Sequence, residues 1–161
     1  MKGLILTIGA TAAAVSLMVG LGVASASSSS VTASVTKVAV ANSKLGRILV
    51  DGHGRTLYLF ARDRHGKSAC SGSCAVYWPP LIAAGKLRAV TGAKASLLGK
   101  TRRPDGRMQV TYRRHPLYRY AGDAARGQTN GQGLDTSGGE WWVLSPAGNK
   151  IVTSGTSGPG Y

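Results

Sequence analysis

Two copies of a phenol–aromatic–carboxylate pattern are the first residues in this chain whose types and spacing suggest chemistry. Tyr58, Phe60 and Asp63 recur as Tyr118, Tyr120 and Asp123, inside Leu57-Tyr58-Leu59-Phe60-Ala61-Arg62-Asp63 and Leu117-Tyr118-Arg119-Tyr120-Ala121-Gly122-Asp123. A phenol beside a carboxylate can share or pass a proton, and two carboxylates facing each other across a cleft can cleave a glycosidic bond. Asp63 and Asp123 meet in that way only if the copies pack symmetrically. The competing expectation is structural. Each Asp falls just past a strand end, where a carboxylate accepts backbone N–H groups and fixes the next turn. A duplicated scaffold needs its aromatic and Asp positions twice, so the structural role is preferred.

Other catalytic patterns are missing. There is no G-x-S-x-G, and the glycine-rich run from Gly127 to Gly139 lacks the lysine and following helix of a phosphate loop. Cys70 and Cys74 are the only cysteines, separated by Ser71-Gly72-Ser73. In an exported chain such a close pair is expected to form a local disulfide, worth about 1–2 kcal/mol through chain entropy. The spacing fits neither a C-x2-C redox motif nor a C-x2-C-H haem motif. Zinc would need two further ligands, and His53, His65 and His115 lie in turns, where histidines are usually solvated. No catalytic residue, metal or cofactor is assigned. A metal-handling or redox accessory protein of the envelope is kept as the alternative.

Charge points to a binding role. The chain has 20 Lys and Arg against 6 Asp and Glu, a formal +14. Eight basic residues lie between Lys100 and Arg126 against two acids, with Tyr112, Tyr118 and Tyr120 interleaved. Arg102, Arg103, Arg107, Arg113, Arg114 and Arg119 are the anion-binding candidates, because the guanidinium fork pairs with phosphate or carboxylate. An anionic cell-wall polymer or membrane surface is the expected partner. Nucleic acid is disfavoured because the chain is exported. A solvated basic face is the competing reading.

Export is read from the first residues. Lys2, the uncharged apolar run Leu4 to Val23, and Ala24-Ser25-Ala26 together have the form of a cleavable signal peptide over residues 1–26. An uncleaved anchor is the rival. Residues 27–34 form a Ser-rich linker, 35–153 a β domain and 154–161 a flexible tail. Within the β domain, repeat 1 covers about 45–81 and repeat 2 about 103–148.

The elements that must hold these residues are strands. Val35 to Val40 alternates, Ile48-Leu49-Val50 runs into the turn Asp51-Gly52-His53-Gly54, and Trp142-Val143-Leu144 is followed by Ser145-Pro146-Ala147-Gly148-Asn149. Twenty-three glycines and six prolines leave little room for helices. One short helix is expected between the repeats, within Leu81 to Leu98. The fold class is mainly β: two tandem hairpin-type repeats packed as one small domain. Tyr58 and Phe60 share a strand face, as do Tyr118 and Tyr120. With Trp78, Trp141 and Trp142 they are the expected core.

The pattern Tyr-x-aromatic-x-x-Asp resembles that of a bacterial secreted-repeat family described as predicted lipoproteins with a Yx(FWY)xxD motif. Leu45-Gly46-Arg47-Ile48-Leu49-Val50, Cys74-Ala75-Val76-Tyr77-Trp78-Pro79-Pro80-Leu81, Arg103-Pro104-Asp105-Gly106 and Gly131-Gln132-Gly133 carry the likeness further. It spans about Val35 to Gly148. It implies an envelope or extracellular location and no defined activity. Many such proteins carry a lipobox cysteine at the cleavage site, and this chain has none there.

Overall fold

The computed structural model describes residues 34–152. The expected signal peptide, nearly all of the linker and the tail lie outside the described residues. Strands dominate, in three small sheets. β1 (Val35–Ser43) turns tightly into β2 (Gly46–Asp51) and also pairs in parallel with β4 (Lys86–Ala89). β3 (Tyr58–Phe60) pairs with β9 (Gly139–Val143), which pairs in turn with β8 (Asp135–Thr136). β5 (Leu98–Arg102), β6 (Met108–Tyr112) and β7 (His115–Pro116) form the third sheet.

The local chemistry explains the hairpins. The Asp51 carboxylate accepts the N–H groups of His53 at 2.8 Å and Arg55 at 3.0 Å, which curls Asp51–Arg55 back on itself. The turn after β6 has no glycine, yet Arg113 and Arg114 both take positive φ, 48° and 66°. Two left-handed residues in a two-residue loop match the right-handed twist of the flanking strands. The Arg113 side chain is tied to Asn149 and to the carbonyl of Ala147, which helps hold this conformation.

The expected helix between the repeats is replaced by β4 and a single 3-10 turn, Ala95–Leu97. Gly85 and Gly92 adopt φ of 70° and 83° and break the Ala- and Leu-rich run, while the backbone between them pairs with β1. The α-helical turn, α1 (Cys74–Tyr77), instead follows the Cys70–Cys74 disulfide inside the first repeat.

The two copies are interlocked rather than simply adjacent. The N–H of Tyr58 donates to the carbonyl of Tyr118 at 2.9 Å, and the N–H of Tyr118 donates to that of Tyr58 at 3.0 Å. Around this crossing, corresponding bonds repeat. Leu57 N–H reaches Leu49 O and Leu117 N–H reaches Val110 O; Ala61 N–H reaches Glu140 O and Ala121 N–H reaches Tyr77 O. Each motif strand therefore lies against the tryptophan segment of the other copy.

Side-chain alternation divides the core. Leu57, Leu59 and Leu117 join Val38, Leu49, Leu81, Val110 and Leu144 on one side. Tyr58, Phe60 and Tyr118 join Trp78 and Trp141 on the other. Trp78 and Trp141 stack at 3.9 Å with planes 1° apart, Phe60 stacks on Trp141 at 4.1 Å, and Tyr120 lies on Trp78 at 4.4 Å. The result is a four-ring column with alternate contributions from the two copies. Gly131 closes against it: a Cβ there would stand 2.7 Å from Trp78 and 3.0 Å from Tyr58. Trp142 lies outside the column, half-buried, with Lys150 5.0 Å above its ring.

Candidate functional site

The duplicated carboxylates and phenols do meet, but across the copies. The Tyr58 hydroxyl donates to Oδ2 of Asp123 at 2.6 Å, and the Tyr118 hydroxyl donates to Oδ2 of Asp63 at 3.0 Å. Each Asp also fixes the loop that follows it, accepting the N–H of Ala69 at 2.7 Å or of Asn130 at 2.9 Å. Burial pushes both phenols well above the ordinary phenol range, and the neighbouring carboxylates add to it. Tyr58, Tyr118 and Asp123 are buried, so these pairs act as internal ties between the copies.

Asp63 is the group of this arrangement that burial moves toward neutral pH. Burial raises its pKa from 3.8 to about 6, against the N–H of Ala69, the Tyr118 hydroxyl and the charges of Arg103 and Arg64. The folded state thus holds the Asp63 proton more tightly than the unfolded chain. The stability this adds is complete below about pH 4 and is lost as pH rises through about 6. Asp123, also raised by burial, acts in the same sense, whereas His115, lowered by burial, acts oppositely. Relative to Asp63→Asn, the wild type is expected to gain on the order of 2 kcal/mol between about pH 7.5 and 4.5. Urea unfolding of both proteins across that range checks it; a pH-independent difference would refute the assignment.

The six arginine candidates are not brought together. Arg103 is buried, with its guanidinium donating to Gln109 Oε1 at 2.7 Å, Ser68 Oγ at 2.8 Å and the Cys70 carbonyl at 2.7 Å. It cannot serve as a surface anion contact, because its donors are spent inside the fold. Arg107 is exposed but engages Asp105 at 2.7 Å, which holds that carboxyl down at about 2. Arg102 donates to the Gly106 carbonyl at 3.0 Å, and Arg113 is tied to the 147–149 loop. Arg114 lines a hollow of about 240 Å³ with His65, Lys67 and Lys100.

Arg119 is different. It lines a cleft of about 680 Å³ together with Arg55, Arg126, His53 and Tyr120. Its Nε donates to Oδ2 of buried Asp51 at 2.6 Å, which orients the guanidinium. The Arg55 side chain donates to the Asp123 carbonyl, while its buried Nε has no partner. Gly54, at φ 81°, gives the Arg126 stem room to pass; a Cβ would lie 3.1 Å from Arg126 Cδ. Two further bonds fasten the turn of the first copy to the 123–128 loop of the second. Gly127 N–H donates to Gly54 O at 3.1 Å, and Thr56 Oγ1 donates to Gln128 O at 2.5 Å.

Of the three cleft arginines only Arg119 is among the six candidates; Arg55 and Arg126 are not, and they lie some seventy residues apart in sequence. Only the crossing of the two copies makes them neighbours. Among the described residues, no three His, Cys, Asp or Glu side chains converge as a metal site would require.

Fold and ties together define a duplicated all-β module, cross-braced by reciprocal Tyr–Asp pairs and carrying the expected Cys70–Cys74 disulfide. The chain belongs to the family described as a secreted repeat of unknown function, whose model matches residues 39–82 and 100–145. No curated protein and no solved structure matches it. It is an extracellular module of a family with no characterised activity, and among its described residues no helix is long and apolar enough to cross a membrane.

Proposed function

We propose that this protein is a secreted or envelope-associated binding module, released by cleavage after residue 26, that holds anionic cell-surface material in the Arg55–Arg119–Arg126 cleft. One observation carries the reading: three guanidiniums and His53 line a single cleft whose one carboxylate, Asp51, is already satisfied by Arg119 and two backbone N–H groups. The cleft is therefore left with a surplus of positive charge and forked donors, which suits an anionic wall polymer. The formal +14 of the whole chain favours rapid encounter with such surfaces and does not by itself select a ligand.

A titration with a soluble polyanion at about 0.15 M salt tests the cleft, because screening there suppresses diffuse attraction. Arg126→Ala is expected to weaken binding about tenfold, the equivalent of one charge-assisted contact. Arg107→Ala, at an exposed site outside the cleft, should have little effect. Equal losses from both changes would mean that general charge, and not the cleft, attracts the polymer.

A further inference from the structure

Two further hollows share lining residues with the cleft. Tyr120 also lines a hollow of about 270 Å³ with Tyr77, Trp78, Thr136 and Ser137. A hollow of about 340 Å³ shares Asp51, His53 and Arg119 with the cleft. The lining changes from guanidiniums in the cleft to aromatic rings and hydroxyls in the Tyr77 hollow.

Tyr77 is an unusual residue to leave in water. It is 62% exposed, beside Val76 at 69%. Its backbone is held firmly, since the Cys70–Cys74 disulfide precedes it, Trp78 N–H caps α1 on Cys74 O at 2.8 Å, and Ala121 N–H donates to Tyr77 O at 2.9 Å. An exposed ring on a fixed backbone can contact a ligand at low entropic cost. Thr136 lines the same hollow, with its Oγ1 accepting Trp78 Nε1 at 3.2 Å. A ring-and-hydroxyl wall suits the apolar C–H face and polar rim of a sugar. An inorganic polyphosphate satisfies the arginines and has nothing to place there.

We infer that the arginine cleft and the adjoining Tyr77 hollow, which share Tyr120, take an acidic polysaccharide, with its anionic groups on Arg119 and Arg126 and a neighbouring sugar ring against Tyr77 and Tyr120. This rests on the arginine-cleft reading and adds the sugar ring to it. Calorimetric titration of the full secreted protein, at about 0.15 M salt, would compare a uronic-acid hexamer with a linear polyphosphate of equal charge. The hexamer is expected to bind saturably and about tenfold more tightly than polyphosphate, a difference of about 1.4 kcal/mol. Tyr77→Ala should remove that advantage and leave polyphosphate binding unchanged; Tyr77→Phe should restore it. Arg126→Ala should weaken both ligands.

Equal affinities that Tyr77→Ala does not alter would overturn the sugar assignment while leaving the arginine cleft standing. Absence of saturable binding for both anions would remove both readings. Tighter binding to anionic phospholipid vesicles than to the hexamer would make the ligand a membrane surface and overturn the polysaccharide. Circular dichroism of Tyr77→Ala, matching wild type, guards against loss of fold as the cause.

Discussion

Trp141→Ala is expected to cost about 4 kcal/mol of folding stability, at the upper end of what large-to-small core changes produce. Trp141 is fully buried and lies between Trp78 at 3.9 Å and Phe60 at 4.1 Å, with the Tyr118 ring edge-on at 5.0 Å. Its Nε1 donates to the Thr136 carbonyl at 3.1 Å. Removing it would open a void inside the column and orphan that carbonyl. Collapse is restricted because both copies contribute walls that are fixed by the Tyr58/Tyr118 crossing. Equilibrium denaturation followed by near-ultraviolet circular dichroism measures the loss. Trp142→Ala is the internal comparison and should cost about 1 kcal/mol, since its half-buried ring leaves no sealed cavity. Similar losses for the two tryptophans would mean that the column is not the principal core.

Arg103→Ala should be nearly as severe, at about 3 kcal/mol, and for a different reason. Its guanidinium is the common donor to Gln109, Ser68 and the Cys70 carbonyl, and the Ser68 hydroxyl oxygen lies 2.7 Å from that of Tyr118. Truncation leaves buried acceptors without donors, and the desolvation of those groups is no longer compensated. The same unfolding assay would report it. The contrast with Arg126→Ala is the decisive feature: Arg103→Ala should lower stability and, where still folded, retain polyanion affinity, whereas Arg126→Ala should do the reverse. A stable Arg103→Ala protein with weakened binding would return Arg103 to the ligand-contacting surface.

Much of the scaffold is a matter of local chemistry and was legible without the fold. Alternation placed Tyr58 with Phe60 and Tyr118 with Phe60's counterpart Tyr120, apart from the interleaved leucines, because side chains in a strand alternate between faces. The Asp51–Gly54 turn and the closeness of Cys70 to Cys74 likewise depend on a few neighbouring residues. Asp63 and Asp123 at strand ends were legible as loop-fixing acceptors for the same reason.

What tertiary structure alone decided is which copy each group serves. Tyr58 binds Asp123 and not the Asp63 of its own motif because the two motif strands cross at Tyr58 and Tyr118, placing each phenol beside the other copy's loop. Spacing along the chain cannot encode that exchange. Nor can charge spacing separate Arg103 from Arg102, although one is buried and its neighbour exposed: burial depends on where Gln109, Ser68 and the Cys70 carbonyl converge. The cleft of Arg55, Arg119 and Arg126 arises in the same way, since the turn of one copy is fastened to a loop of the other. Local sterics and pairing made most of the strands and turns, the repeat and the disulfide legible in the chain; β4, which stands where a helix is expected, was not. The cleft and its charge came only from the packing of distant segments, where burial and hydrogen-bond satisfaction decide which arginines stay free.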